Sequence, residues 1–205
     1  MVVVNTNDSG VGSLRDIIAG AIPGDTVIFD SSLSGQTITL TSGDITINKD
    51  LNIDGSALAN QVSLSGNNNS RIFLINTGAT VALTALNFID GNTNNGGAIN
   101  IPDANTSVTI DNSRFANNNS TSAGGAIRVS FDGSLTVNSS LFESNSSDFD
   151  ASAIFIIGGA LTMANTTVTG GSSPNNREAI TIQGAGGSAT IVNSTIVNNL
   201  SLIHI

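Results

Sequence analysis

The sequence predicts an all-β fold: a right-handed parallel β-helix with three short strands per coil and a short N-terminal capping helix. Three observations predict it. Two separate sequence markers recur at one shared spacing of 26 to 28 residues, short alternating apolar pairs fall between the markers, and the joining segments are rich in Asn, Ser and Gly with no helical pattern. A repeat of this kind cannot bury its own apolar face, so the repeats must stack.

The first marker is an apolar residue at Phe88, Phe115, Phe142, Val168 and Ile196, at separations of 27, 27, 26 and 28. The second is Gly-Gly-Ala-Ile or its relic, which places Ile99, Ile127, Ile154 and Ile180 at separations of 28, 27 and 26. A first strand in each repeat carries the pairs Ile99 and Ile101, Ile127 and Val129, Ile154 and Ile156, and Ile180 and Ile182. A second carries Val81 and Leu83, Val108 and Ile110, Leu135 and Val137, Leu161 and Met163, and Ala189 and Ile191. The first marker heads a third, shorter strand. Stacked at the strand spacing of about 4.8 Å, the inward residues form continuous columns and each backbone pairs with the coils above and below. The coil is read as right-handed because parallel crossovers within one sheet nearly always are. Hairpin turn signals do not recur at this period, which argues against a flat sandwich.

The turns fit the same reading. Asn112, Asn165 and Asn193 stand three residues before their marker, with Ser139 in the intervening coil, while Asn118, Asn145 and Asn199 stand three after theirs. Asn tolerates the left-handed backbone conformation, and stacked carboxamides can hydrogen-bond along a ladder, so these six are assigned structural roles. Asn138-Ser-Ser and Asn193-Ser-Thr match the glycosylation sequon, a pattern common by chance in so Asn- and Ser-rich a chain.

Residues 1–44 are read as an N-terminal cap with the first irregular strands, and residues 45–199 as the coils. Ser13-Leu-Arg-Asp begins like a capping box with Asp in place of Glu, and Leu14, Ile17, Ile18 and Ala21 share one helical face until Pro23-Gly24. A helix over 13–21 is therefore predicted, plugging the open end of the solenoid where core and strand edges would otherwise be bare. Strands at 26–29, 37–40, 45–47, 51–53 and 62–64 follow.

Composition excludes several functions. Of 205 residues 39% are apolar and 10% charged, too apolar and too sparsely charged for a disordered chain. The net charge of -9 repels phosphate backbones, so nucleic acid is not an expected partner. With no cysteine there are no disulfides or thiolate metal sites, and no apolar run reaches membrane-spanning length.

Gly-Gly-Ala-Ile at 96–99 and 124–127, with Phe115-Ala-Asn-Asn and Phe142-Glu-Ser-Asn, resembles the GGAI and FxxN repeats of polymorphic outer membrane proteins. The opening Asn5-Thr-Asn-Asp-Ser-Gly-Val-Gly-Ser-Leu-Arg-Asp-Ile-Ile resembles the start of large bacterial surface proteins built on pectin-lyase-like β-helices. Departures occur where Phe becomes Val168 and Ile196, and where Gly-Gly becomes Ala151-Ser152 and Arg177-Glu178; all keep the inward apolar residue. The resemblance implies a fragment of a bacterial protein, secreted or displayed on the outer membrane surface, acting as a structural or adhesin-like fibre. Its signal peptide and anchor are expected outside this stretch, and its expected partners are host or cell-surface glycans or proteins.

The alternative is a polysaccharide-active enzyme, a lyase or glycoside hydrolase of the same fold. Glycosidic cleavage needs two carboxylates converging on one groove, and lyase chemistry a basic residue beside acid-bound calcium. The outward column of the first strands is read as Phe73, Asn100, Arg128, Phe155 and Thr181, and that of the second strands as Ala82, Thr109, Thr136, Thr162 and Thr190, with Asp111 one position beyond a strand. No column stacks two acids. Asp148 and Asp150 are the tightest acidic pair and offer weak Ca2+ binding, though a solvated turn is the favoured reading; no other cofactor is expected. Arg128 is read as a surface arginine, since Arg resists the deprotonation that a base requires. The Thr column raises a third reading, ice or crystal-surface binding, which the mixed flanking columns oppose.

The tail Leu200-Ser-Leu-Ile-His-Ile departs from the style of the turns and stands where a new coil should begin. It is also the translation of CTG TCT CTT ATA CAC ATC, the end of a transposon-derived sequencing adaptor. Residues 200–205 are therefore read as adaptor read-through, His204 is given no function, and the natural chain is expected to continue past Asn199. The uncovered last coil is expected to promote end-to-end self-association.

Overall fold

The computed structural model describes residues 1–173 and 178–199 and the backbone of Ile203–His204. Strands in the order predicted from the repeat stack into a parallel β-solenoid of about seven turns with three sheets. The long sheet contains Val2–Val3, Asp25–Phe29, Leu51–Asp54, Thr80–Thr84, Ser107–Asp111, Ser134–Asn138, Ala160–Ala164 and Ser188–Val192. The phenylalanine sheet contains Thr37–Thr39, Val62–Ser65, Leu86–Ile89, Arg114–Ala116, Leu141–Glu143, Thr167–Thr169 and Thr195–Val197. The isoleucine sheet contains Ile45–Ile47, Phe73–Ile75, Ile99–Ile101, Ile127–Ser130, Ile154–Ile157, Ile180–Gln183 and Ile203–His204. Every pairing between them is parallel.

The sequence period is the register. Ile99, Ile127, Ile154 and Ile180 pair in line, as do Phe88, Phe115, Phe142, Val168 and Ile196. Both columns run further back than the markers show: Ile45 and Phe73 precede Ile99, and Ile38 and Leu64 precede Phe88. The stack is thus under way before residue 45, with 25–28 already paired to 51–54. Phe88, Phe115 and Phe142 stack face to face with ring centroids 4.6 Å apart and planes within 9°. All three are fully buried, so each ring both removes apolar area from water and fills the core at the height of its own coil.

One placement differs from the sequence reading. Phe73 points inward and meets Phe88 edge to face at 5.9 Å; the residue aligned with Asn100 in the outward column is Leu74. Phe73 stands 26 residues before Ile99, whereas Asn100 stands 27 after Phe73, and a difference of one residue along a strand turns a side chain to the opposite face.

At the N-terminal end the helix is Leu14–Gly20, with Ser13 as its N-cap accepting from the Asp16 N–H. The Asp16 carboxylate reaches back to the Gly12 N–H at 3.1 Å, so the box closes one residue earlier than its usual form. Leu14 and Ile18 are buried in the same core as the columns, which fits the plugging role. Lys49 donates to the carbonyls of Ile18, Ala19 and Ala21 where the helix ends, adding to the Ala21 N–H that Ile18 already accepts.

A fourth, three-stranded sheet was not predicted: Asn92–Asn95, Asn119–Ala123 and Ser146–Ser147 pair in parallel on the segments leading into the isoleucine sheet. It explains the Gly-Gly phrase. Gly124 has φ +69, and a Cβ on Gly125 would lie 2.1 Å from the Ser152 carbonyl and 2.4 Å from that of Ser146. Adjacent coils approach there too closely for any side chain. Ala151 takes the left-handed place of the first glycine at φ 52 in the next coil; Arg177 lies outside the described residues.

Candidate functional site

Two ladders hold the corners. Between the long and phenylalanine sheets the chain turns on one left-handed residue per coil: Ala85, Asn112, Ser139, Asn165 and Asn193, with φ between 47 and 54. Beyond the phenylalanine sheet, Asn118 and Asn145 are buried and Asn199 partly so, all in one pattern. The Oδ1 of each accepts a backbone N–H of the preceding coil, from Gly91, Asn118 and Gly171 respectively, at 2.9 to 3.0 Å. The Nδ2 of each donates to the marker carbonyl of that coil, Phe88, Phe115 or Val168, at 3.0 to 3.1 Å. The six Asn positions therefore divide into left-handed corners and ladder rungs. The hydroxyls of Ser113, Ser140, Thr166 and Ser194 form a second ladder that sequence reasoning missed. Each accepts the N–H of its counterpart one coil earlier and donates to the carbonyl two residues before itself. The signal was present: a hydroxyl residue two places before every marker from Phe115 onward.

The outward face of the isoleucine sheet is not open to solvent as expected. The segments carrying the fourth sheet fold against it, so Asn100, Phe155 and Thr181 are buried, and Phe155 packs with Ala123, Ala151 and Ile157 in a small apolar cluster outside the main core. Arg128 is half-buried here rather than free on the surface, its guanidinium carbon 6.0 Å from the Phe155 ring centroid, close enough for a cation–π contact. Arg71 lies on the same side, 3.7 Å from the Asp44 carboxylate and donating to the Thr93 hydroxyl. Burial pushes both guanidinium groups below their ordinary range; Asp44 opposes the effect at Arg71, and the charge of Arg128 adds to it.

Asp148 and Asp150 are placed in different surroundings. Asp148 is exposed, while Asp150 is buried and accepts the Thr181 hydroxyl at 2.9 Å. Among the described residues no three His, Cys, Asp or Glu side chains stand close enough to share a metal ion. The outward column of the long sheet is as read, with Thr109, Thr136, Thr162 and Thr190 in line. The side chain of His204 lies outside the described residues.

An open groove of about 380 Å³ lies on the corner between the long and phenylalanine sheets, with Asn112, Ser139 and Asn165 along one side and Arg114, Leu141 and Thr167 along the other. Gln61 overhangs it and donates to the Asn112 carbonyl at 2.6 Å. The positive charge of Arg114 is met by Glu143, with which it forms an ion pair, and its guanidinium also donates to Asn87 at 2.9 Å. The groove is polar and compensated in charge; three successive coils form its floor, and Gln61 reaches in from two coils before the first of them.

No family model and no curated protein matches the chain, so its identity rests at the level that its own pairing pattern supports, a parallel β-solenoid.

Proposed function

We propose that the chain is a length of a bacterial β-solenoid held outside the cell, acting as a structural or adhesin-like fibre of the polymorphic outer membrane protein repeat type within the pectin-lyase-like folds. The observation that carries this reading is the unbroken register of the inward columns and corner ladders. Each coil repeats the same structural solution, and a change that keeps the inward apolar residue, such as Phe to Val168, leaves the pairing intact. The exterior supports it as well: among the described residues, no outward column of the three sheets puts carboxylates on neighbouring coils, the pairing that acid-base cleavage of a glycan would use. Hydroxyls and carboxamides dominate the long sheet's outer face, a surface suited to contact rather than to proton transfer.

The test has two arms. Beads coated with the purified chain should adhere to a glycoprotein-coated surface, and soluble chain should compete. Incubated with pectin, alginate and neutral glycans, the chain should release no new reducing ends and no unsaturated products. Failure of the coated beads to adhere, or turnover that Arg128→Ala or Asp148→Asn abolishes, overturns the reading.

A further inference from the structure

We infer that the corner groove is a binding site for a neutral glycan segment. This rests on the adhesin-like reading above and gives it a ligand and a place. The groove arises from one irregularity. In five successive coils the corner between the long and phenylalanine sheets is a single left-handed residue, but one coil earlier the strands Leu51–Asp54 and Val62–Ser65 are joined by residues 55–61. That longer segment stands proud of the flush corners that follow. Gln61, at its end, bridges two coils to reach the Asn112 carbonyl 51 residues along the chain.

The groups facing the groove are available. The side chains of Asn112, Ser139, Asn165 and Thr167 form no hydrogen bond with any described residue, whereas the neighbouring ladder residues Ser113 and Ser140 have both donor and acceptor engaged. The left-handed corner itself does not call for a carboxamide. Its backbone needs only a residue that tolerates positive φ, and Ala85 and Ser139 fill the same place. The carboxamides of Asn112 and Asn165 thus offer a donor and an acceptor each, spaced along the stack, and vicinal sugar hydroxyls both accept and donate. Half-buried Leu141 supplies an apolar patch between them for a sugar's C–H face. Arg114 faces the groove already paired with Glu143, so the site presents no unbalanced cation to a carboxylate or sulfate, and a protein of net charge -9 repels anions further. A volume of about 380 Å³ falls within the usual range for small-ligand sites, room for roughly one or two pyranose rings.

The experiment is saturation-transfer NMR of the 205-residue chain with the tetrasaccharides of glucose, mannose and N-acetylglucosamine, and with tetragalacturonate as the acidic control. At least one neutral tetrasaccharide should receive saturation and the acidic one should not. The double variant Asn112→Gly/Asn165→Gly keeps residues that accept positive φ, so its circular dichroism should match the parent while affinity falls at least about tenfold. Gln61→Ala, which removes the overhang without touching any strand, should weaken binding in the same direction. Binding undiminished in the folded double variant, or saturation of none of the neutral probes, overturns the inference. If coated beads adhere equally well with the double variant, the groove proposal fails and the fibre reading stands; if beads of the parent chain do not adhere at all, it is the fibre reading that fails.

Discussion

Asn118→Ala should destabilise the stack far more than the loss of one surface hydrogen bond. The carboxamide is fully buried and serves three partners: its Oδ1 accepts the Gly91 N–H at 2.9 Å, and its Nδ2 donates to the Phe88 carbonyl at 3.1 Å and to Asn145 Oδ1 at 3.0 Å. Alanine strips all three, so the Gly91 N–H loses its acceptor and the Phe88 carbonyl loses a donor in a turn closed to water. Each buried polar group left without its partner costs about 1–3 kcal/mol, so the variant should lose about 2–5 kcal/mol, against about 1 kcal/mol for a single isolated bond. In a chain of this size each kcal/mol lowers the midpoint by about 2–4 °C, which makes the shift easy to see by circular dichroism. Solenoids can open coil by coil, so hydrogen exchange at Gly91 is the sharper readout. Its amide should exchange faster by at least about tenfold in the variant. A Gly91 amide as protected as in the parent, with a midpoint lowered by less than about 2 °C, would refute the ladder account.

Other expectations test other parts of the molecule. Phe115→Asp places a carboxylate between the rings of Phe88 and Phe142 with no partner, so its cost should exceed the roughly 3–5 kcal/mol of a Phe→Ala cavity and exceed that of Asn118→Ala; equal midpoints for the two would contradict the assignment of inside and outside. Ser140→Ala should cost about 1–2 kcal/mol in urea unfolding, because Oγ accepts the Ser113 N–H and donates to the Asn138 carbonyl, and Ser140→Thr should restore most of it, as Thr166 fills the same rung. Burial works against the charge of Asp8, but hydrogen bonds from Ser42, Arg15 and Thr41 and the charge of Arg15 outweigh it and hold the carboxyl at about 2. A depressed carboxyl stabilises the fold above its unfolded value near 3.8 and loses that contribution as pH falls towards about 2. The stability gap between parent and Asp8→Asn should therefore be full at pH 5 and shrink from about pH 4 downwards; a gap unchanged between pH 5 and pH 2 would show that Asp8 is not held in this way.

Much of the fold was legible because a solenoid writes its register directly into the spacing of like residues. Ile99 to Ile180 and Phe88 to Ile196 are neighbours in space for the same reason that they are neighbours modulo the repeat. Phe73 was misplaced because no marker recorded that its partner Ile99 stands 26 residues on rather than 27, and alternation alone cannot reveal a slip of one. The hydroxyl ladder was readable at 113, 140, 166 and 194 but was hidden by the abundance of Ser and Thr around it. The candidate site was much less legible. Alternation places Phe155 outward, where it stands, but its burial depends on segments folding back across the sheet, and nothing local signals that cover. The groove likewise depends on Gln61 reaching across two coils, a relation that neither composition nor period contains.

The most direct test of the account is whether residues one repeat apart sit on adjacent strands in register. Thr109, Thr136 and Thr162 face outward in consecutive coils of the long sheet, and the chain has no native cysteine to interfere with labelling. Nitroxides on the pair Thr109→Cys/Thr136→Cys should show strong spin–spin broadening, since their backbones lie about 4.8 Å apart, and the pair Thr109→Cys/Thr162→Cys a weaker effect at about 10 Å. Spectra of both pairs equal to the sum of the singly labelled proteins would contradict the stacked-coil architecture and the functional reading built on it.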